Sequence, residues 1–516
     1  MISTGVQLAL WLAGAAVLVS LASWLGFRSY RRFAIASRGA VTMALAPGGP
    51  ATPLDALLAP LEAAHPGQTG LANLLINQDA FAARAVSAAA AGRSLDLMSY
   101  IWSTDITGWL LIADLLAAAD RGVRVRLLLD DVNVQGFDPA FLALNQHPNV
   151  EVRLFNPIRN RGHVIRRTLE LLLGLSRFNR RMHGKMWLAD GRVAITGGRN
   201  VGDTYFGATA GGKRMSRDAD VIVVGPTVAE LAAVFDSYWN LGLALPILTL
   251  WPKFKMNMRR FRARLQKHCL SADAQAYLTQ AVAGRDAATL IAARLRWTDK
   301  VEVLADPPEK AYGERPKPWM AESMATVLGR AQQEVQLVTP YFVPGKRGLQ
   351  VLADLARRGV RVHVVTNALS ATDMVLVHGA YRYYRLPLLQ AGAQVHEFSP
   401  LEDARGKRDV IHTKVFVIDA VQAVVGSLNF DMRSAFMNTE LGVRFEQPDL
   451  VAELRAMMAE MSAPDQSYAV TVEGRALRWA VQRPCLPAVM AVEPDAPKRL
   501  RAVSWVVGHL PIQAYL

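Results

Sequence analysis

Arg408–Gly442 reads RDVIHTKVFVIDAVQAVVGSLNFDMRSAFMNTELG, and it decides how the rest of the chain is read. A near-copy, RMHGKMWLADGRVAITGGRNVGDTYFG, lies upstream at Arg181–Gly207. His412, Lys414, Asp419, Gly426, Ser427 and Asn429 of the later stretch answer to His183, Lys185, Asp190, Gly197, Gly198 and Asn200 of the earlier one. The run IHTKVFVID is rich in branched and aromatic residues and predicts a buried strand. Strand side chains alternate faces, so His412 and Lys414 are expected to point the same way. Gln422–Ser427 predicts a second strand, with a tight connection at Asp419–Val421. That hairpin sets His412 roughly opposite Asn429, and the first copy sets His183 roughly opposite Asn200. Each copy thus offers an imidazole, an ammonium and an amide to one small region, a set suited to an anionic tetrahedral phosphorus centre. One His-x-Lys in a strand means little; two with the same internal offsets are hard to attribute to chance.

The flanking sequence repeats as well. In the first half Leu95–Ile101 predicts a strand, Gly108–Asp120 an amphipathic helix, and Val123–Leu129 a strand. In the second half Glu334–Tyr341, Leu349–Arg358 and Val360–Thr366 follow the same order. Arg-Gly-Val-Arg-Val occurs in both, at Arg121–Val125 and Arg358–Val362. A further apolar segment follows each, Val150–Phe155 and Ala393–Phe398, and then the motif. This alternation predicts an α/β sandwich in each half. A pseudo-twofold pairing of the halves brings His183 and His412 face to face.

With 516 residues there is room for two or three domains, each with its own core. The formal net charge of +14 favours anionic partners, either nucleic acid or an anionic membrane surface. Two unpatterned cysteines, Cys269 and Cys485, exclude a disulfide scaffold or a cysteine-based zinc site. Ile2–Phe27 carries no charged side chain and is long enough to cross a bilayer as a helix. The basic cluster Arg28, Arg31 and Arg32 follows it rather than preceding it, which favours a retained anchor over a cleaved signal and keeps the following chain cytoplasmic. The expected organisation is an anchor and basic flank (1–35), a linker (36–70), a first domain (71–250), a basic connector (251–296), a second domain (297–465) and a C-terminal extension (466–516). Trp251–Lys267 mixes basic with apolar residues and reads either as a helix on an anionic membrane or as a solvated linker helix. Tyr381–Leu389 is a second basic, aromatic stretch.

These residues resemble the phospholipase D superfamily, whose HxKxxxxD motif occurs twice per active site. The likeness runs from about Leu71 to the C-terminus and is strongest to bacterial cardiolipin synthases, in the C-type branch with paired glycines in the first motif. RSLDLMSYIWSTDITGWLLIADLLAAADRGVRVRLLLDD, HPNVEVRLFNP, VQLVTPYFVPGKRGLQVLADLARRGVRVHVVTNALSATD and GHLPIQAYL carry it. The resemblance implies two phospholipase D-like α/β sandwich domains behind a membrane helix. It implies ping-pong displacement at a phosphodiester, with His183 as nucleophile and His412 as acid and base. Lys185 and Lys414 would bind the non-bridging oxygens, with Asn200 and Asn429 as donors, and Ser427 could add a donor that Gly198 cannot. Glu440 would orient His412. Its first-half equivalent falls in SRDADV, at Asp218 or Asp220, with Asp220 the choice. Asp190 and Asp419 sit at the hairpin turns and read as structural. No metal or other cofactor is implied. The expected partners are phospholipids, phosphatidylglycerol and either it or phosphatidylethanolamine as donor, at the bacterial inner membrane, with no nucleic acid. The resemblance implies transfer of a phosphatidyl group from a donor phospholipid to phosphatidylglycerol; the alternatives are a hydrolytic phospholipase D, a nuclease and a non-catalytic membrane-binding protein, and any helper protein stays open.

Overall fold

The computed structural model describes residues 4–134, 138–208, 214–252, 254, 256–402, 408–483 and 487–510. Two large mixed sheets carry the architecture, one per half. The first runs, edge to edge, through Arg296–Thr298, Thr69–Leu74, Asp220–Val224, Val193–Gly197, Met186–Ala189, Ser94–Ser99, Arg124–Asp130, Val150–Phe155 and Ala244–Pro246. The second has the same central order: Val301–Ala305, Leu441–Phe445, Gln422–Gly426, Val415–Ile418, Glu334–Val338, Arg361–Asn367 and Gln394–Phe398, extended by Ser467–Glu473, Ala476–Ala480 and Val489–Met490. In each half three parallel strands joined by helices lie beside the antiparallel motif hairpin. The central strands are buried on both faces and dense in Val, Ile and Leu, as sheets covered by helices require.

The expected strand–helix–strand units are present: Ser94–Ser99, Ile106–Asp120 and Arg124–Asp130 in the first half, and Glu334–Val338, Gly345–Arg357 and Arg361–Asn367 in the second. The long strand expected through His412 is interrupted. Val410–Ile411 pairs with Ser216–Arg217 of the other half, and a regular strand resumes only at Val415–Ile418. The backbone around His412 bonds across the domain boundary instead of along the hairpin.

A single buried cluster joins the halves. It contains Met186, Val221, Leu231 and Phe235 from the first and Val338, Val415, Val425, Leu441 and Leu454 from the second.

Several sequence expectations change here. The stretch 36–70 is packed rather than a free linker. It forms the helix Pro53–Ala64, closed by a capping box between Thr52 and Asp55, and before it Thr42 and Ala44 bond to Asn240 and Asp236. Arg296–Thr298, at the end of the expected connector, is a strand of the first sheet. Within 251–296, the helix Met258–Cys269 buries Phe261 and Leu265 in the first core while Arg262 pairs with Asp120. That stretch belongs to the first domain and is not a free surface helix. Tyr381–Leu389 lies in the helix Val375–Gln390, where Arg385 is spent on Glu397 and Glu493.

Near the N-terminus a helix runs over Thr4–Ala36, and its far end buries Tyr30 and Ala34 in the shared cluster. No helix among the described residues is long and apolar enough to cross a membrane. Residues 2 and 3 of the expected span lie outside the described residues, as does Cys485.

Candidate active site

The two motifs meet across the domain boundary by an exchange of backbone and carboxylate. His183 N–H donates to the Thr439 carbonyl at 2.9 Å, and its Nδ1 lies 2.8 Å from Oε2 of the next residue, Glu440. His412 N–H donates to the Arg217 carbonyl at 2.8 Å, and its Nδ1 lies 2.6 Å from Oδ2 of the next residue, Asp218. Each histidine is therefore oriented by a carboxylate of the other half. Glu440 does not orient His412, as expected from sequence; it holds His183.

Asp218, not Asp220, is the first-half counterpart of Glu440, and sheet register explains why. Gly197 pairs with Asp220 and Gly426 with Gly442. Stepping back two residues reaches Asp218 in one half and Glu440 in the other. Asp220 is instead a buried structural anion between Arg84, at 2.9 Å, and Arg199, at 3.5 Å. Strand alternation puts both aspartates on one face, so only the register of the pairing separates them.

The paired glycines acquire a steric reason. A Cβ built on Gly198 would lie 2.1 Å from Asp218 Oδ1, so only glycine lets that carboxylate reach His412. At the matching position Ser427 donates its hydroxyl hydrogen to Glu440 Oε2 at 2.5 Å and accepts from Leu441 N. Ser427 thus steadies Glu440 and is not a free donor to substrate. Asp306 adds a bond from the Glu440 amide to its Oδ2 and is itself held by Lys310.

Lys185 and Lys414 are buried, and each ammonium folds back onto the carbonyl of its own histidine. Asn200 and Asn429 are buried too, and Asn200 Nδ2 and Asn429 Oδ1 have no hydrogen-bond partner among the described residues. A half-turn of the Asn429 amide presents its NH₂ in place of the oxygen. Tyr100 lies edge-on to His183 with centroids 4.8 Å apart, and Tyr205 to His412 at 5.0 Å. Neither tyrosine was singled out from the sequence, because neither belongs to the repeated spacing.

Asp190 and Asp419 occupy left-handed turn positions, φ 55° and 54°. Asp190 accepts the N–H groups of Gly92, Arg93 and Ser94, and Asp419 those of Gln332, Gln333 and Glu334. Each pins its hairpin to the start of the neighbouring strand, far from the histidines.

Electrostatics separate the half-sites. Burial depresses the His183 pKa well below the usual imidazole value, and the Lys185 and Lys414 charges depress it further. Burial raises Glu440 to about 7, against the pull of Lys185. Burial opposes ionisation of Asp218 as well, but Lys414 and His412 outweigh it and hold Asp218 below its usual value. His412 is lowered by burial and by Lys414, with Asp218 opposing. Lys185 is lowered to about 7 by burial and by Lys414, and Lys414 to about 8 by burial. Two buried ammoniums, one depressing the other, suit an anionic ligand. Among the described residues no group of His, Cys, Asp and Glu has metal-holding geometry.

A fold of two such sheets with paired His-Lys-Asn half-sites defines the class of phosphodiester-processing enzymes of the phospholipase D superfamily. The profile of the family described as "Cardiolipin synthase, PLD-like domain" matches residues 87–239 and 324–462, and the chain belongs to that family. It is 34% identical to cardiolipin synthase C of Escherichia coli over 89% of this chain and 99% of that one. It is 23% identical to cardiolipin synthase A of Buchnera aphidicola subsp. Schizaphis graminum, covering 72% of this chain and 64% of that one. Among solved structures, the phosphatidylserine synthase of Haemophilus influenzae superposes with a TM-score of 0.53 at 13% identity, over 77% of this chain and 87% of that one, a likeness of fold.

Proposed function

We propose that the protein transfers a phosphatidyl group from a donor phospholipid to a glycerol hydroxyl of phosphatidylglycerol, forming cardiolipin through a phosphohistidine. The observation that carries this reading is the cross-domain pairing of His183 with Glu440 and His412 with Asp218 around two buried lysines. With its Nδ1 hydrogen on Glu440, neutral His183 has a free Nε2 lone pair. That lone pair attacks phosphorus, the bond from phosphorus to the donor's alcohol oxygen breaks, and His412 gives its proton to that oxygen. In the second step the acceptor hydroxyl attacks, its proton passes to His412, and the bond between phosphorus and nitrogen breaks. The asymmetry in charge supports these roles, since ionised Asp218 favours an imidazolium at His412 more than Glu440 does at His183. Lys185 and Lys414 neutralise the non-bridging oxygens, and Asn200 and Asn429 donate to them.

The same reading places the enzyme on the bacterial inner membrane with its catalytic domains on the cytoplasmic side. Along the helix Thr4–Ala36, Trp11, Val17, Leu18, Leu21 and Trp24 are exposed, and Arg28, Arg31 and Arg32 follow. The helix Val164–Leu173 packs beside it near Gly26 and exposes Val164, Ile165, Leu169 and Leu172, with Arg166 and Arg167 among them. An exposed apolar face laced with arginines suits an anionic bilayer.

The deciding experiment incubates the reconstituted protein with labelled phosphatidylglycerol, with and without phosphatidylethanolamine, and resolves the products. Cardiolipin made only when both His183 and His412 are present supports transfer, and released glycerol or ethanolamine names the donor. Phosphatidic acid alone would make water the acceptor and replace transfer with hydrolysis.

A further inference from the structure

An apolar cavity of about 510 Å³ opens beside the site in the second half. Met324, Leu328, Val351, Tyr384, Leu428 and Phe436 line it, and so does Asn429, one of the two site amides. The exposed cations Lys346 and Arg347 border it. The volume falls within the ~300–1,000 Å³ of small-molecule sites, while its lining holds few polar groups.

The pseudo-symmetry of the fold shows that this space is not a by-product of the architecture. The helices Met320–Gly329, Gly345–Arg357 and Met432–Phe436 enclose it, and their first-half counterparts are Asn77–Ala90, Ile106–Asp120 and Asp203–Phe206. There the corresponding space is filled. Asp190 holds the amides of residues 92–94 and Asp419 those of residues 332–334, and counted back from these strand starts Phe81 stands where the second half has Ala321. Phe206 follows Gly198 at the same distance in sequence as Ala435 follows Ser427. Phe81 and Phe206 meet edge to face at 5.6 Å, Tyr277 from the connector packs on Phe81 at 5.1 Å, and its hydroxyl donates to the Phe206 carbonyl at 2.8 Å. In the second half two alanines, Ala321 and Ala435, replace the two phenylalanines and line the cavity, and no described segment covers the opening. One half-site is walled with aromatic side chains; the other is left hollow and greasy.

We propose that this cavity holds an acyl chain of the phosphatidyl group while that group is carried on the enzyme. The inference rests on the transfer reading and adds to it which half of the molecule binds lipid tails. Asn429 borders both the cavity and the phosphate site, so a lipid phosphate between Lys185 and Lys414 can send a chain past Asn429 toward Met324 and Val351.

Ala435→Phe copies the first-half filling, and Ala325→Trp blocks the same cavity from the exposed side. With both variants, kcat/KM for dioleoyl phosphatidylglycerol in vesicles should fall about tenfold or more, while turnover of water-soluble dibutyryl phosphatidylglycerol is kept. Unchanged long-chain activity in both variants overturns the proposal. If the variants lose activity on both substrates, the wild-type protein decides, using phosphatidylglycerol with a diazirine on its acyl chain. Photolabel on Met324, Val351 or Phe436 supports the cavity, and label confined to other segments overturns it. Failure of the transfer reading would show separately, as an absence of cardiolipin from the wild-type protein.

Discussion

Asp218 and Asp220 differ by two positions and by everything that matters chemically. Asp218→Asn removes the anion behind His412 and should lower kcat about 10²–10⁴-fold, with the melting temperature nearly kept. Asp220→Asn instead breaks a buried pair with Arg84 and Arg199 and should cost roughly 3–5 kcal/mol of stability. Steady-state kinetics beside thermal melts of both variants separates the two; equal kinetic losses without unfolding would refute the assignment. His183→Ala and His412→Ala should each abolish nearly all turnover, and a fully active His412→Ala protein would exclude the two-histidine scheme. The same groups set the pH response. Below about 7 Glu440 takes a proton and no longer balances the charge of phosphorylated His183. Above about 7 to 8 Lys185 and Lys414 lose the charges that hold the phosphate. The profile of kcat/KM should therefore be a narrow bell, with apparent constants belonging to the coupled cluster rather than to one residue. A flat profile between about pH 6 and pH 9 would contradict it.

At the scale of elements, the strand and helix pattern of both halves was legible because hydrophobic periodicity is local. The interruption at His412 was not, since its backbone bonds lead to Ser216–Arg217, far away in sequence. The basic stretch 251–267 drew notice through its charge, yet its apolar residues are spent inside the first core. Val164–Leu173 carries an exposed apolar face, and its Val-Ile, Leu and Leu at helical spacing among arginines form a local pattern in the sequence. Replacing Ile165, Leu169 and Leu172 together by Glu should weaken sedimentation with anionic vesicles by about tenfold or more, each buried apolar side chain being worth ~1.5–3 kcal/mol. Turnover of a water-soluble phosphodiester should be unaffected. Vesicle binding equal to that of the wild type would remove this helix from the membrane reading.

Across the whole molecule, the two halves complete one another twice, through the shared apolar cluster and through the exchanged carboxylates. They should melt as one unit. Calorimetry is expected to show a single transition for the two sheets, shifted down as a whole by Leu441→Ala, which truncates a fully buried side chain at a cost of about 2–5 kcal/mol. Two separable transitions, only one of them moved, would mean that the halves are independent. By itself the sequence determined the duplication, the α/β class, the residue types of both half-sites and the structural place of Asp190 and Asp419. All of these rest on local periodicity and repeated spacing. Only the tertiary structure decided which carboxylate serves which histidine, that Ser427 is spent on Glu440, and that one half-site is hollow where the other is filled. Those outcomes depend on contacts between residues from 13 to 257 positions apart, whose register no local pattern contains.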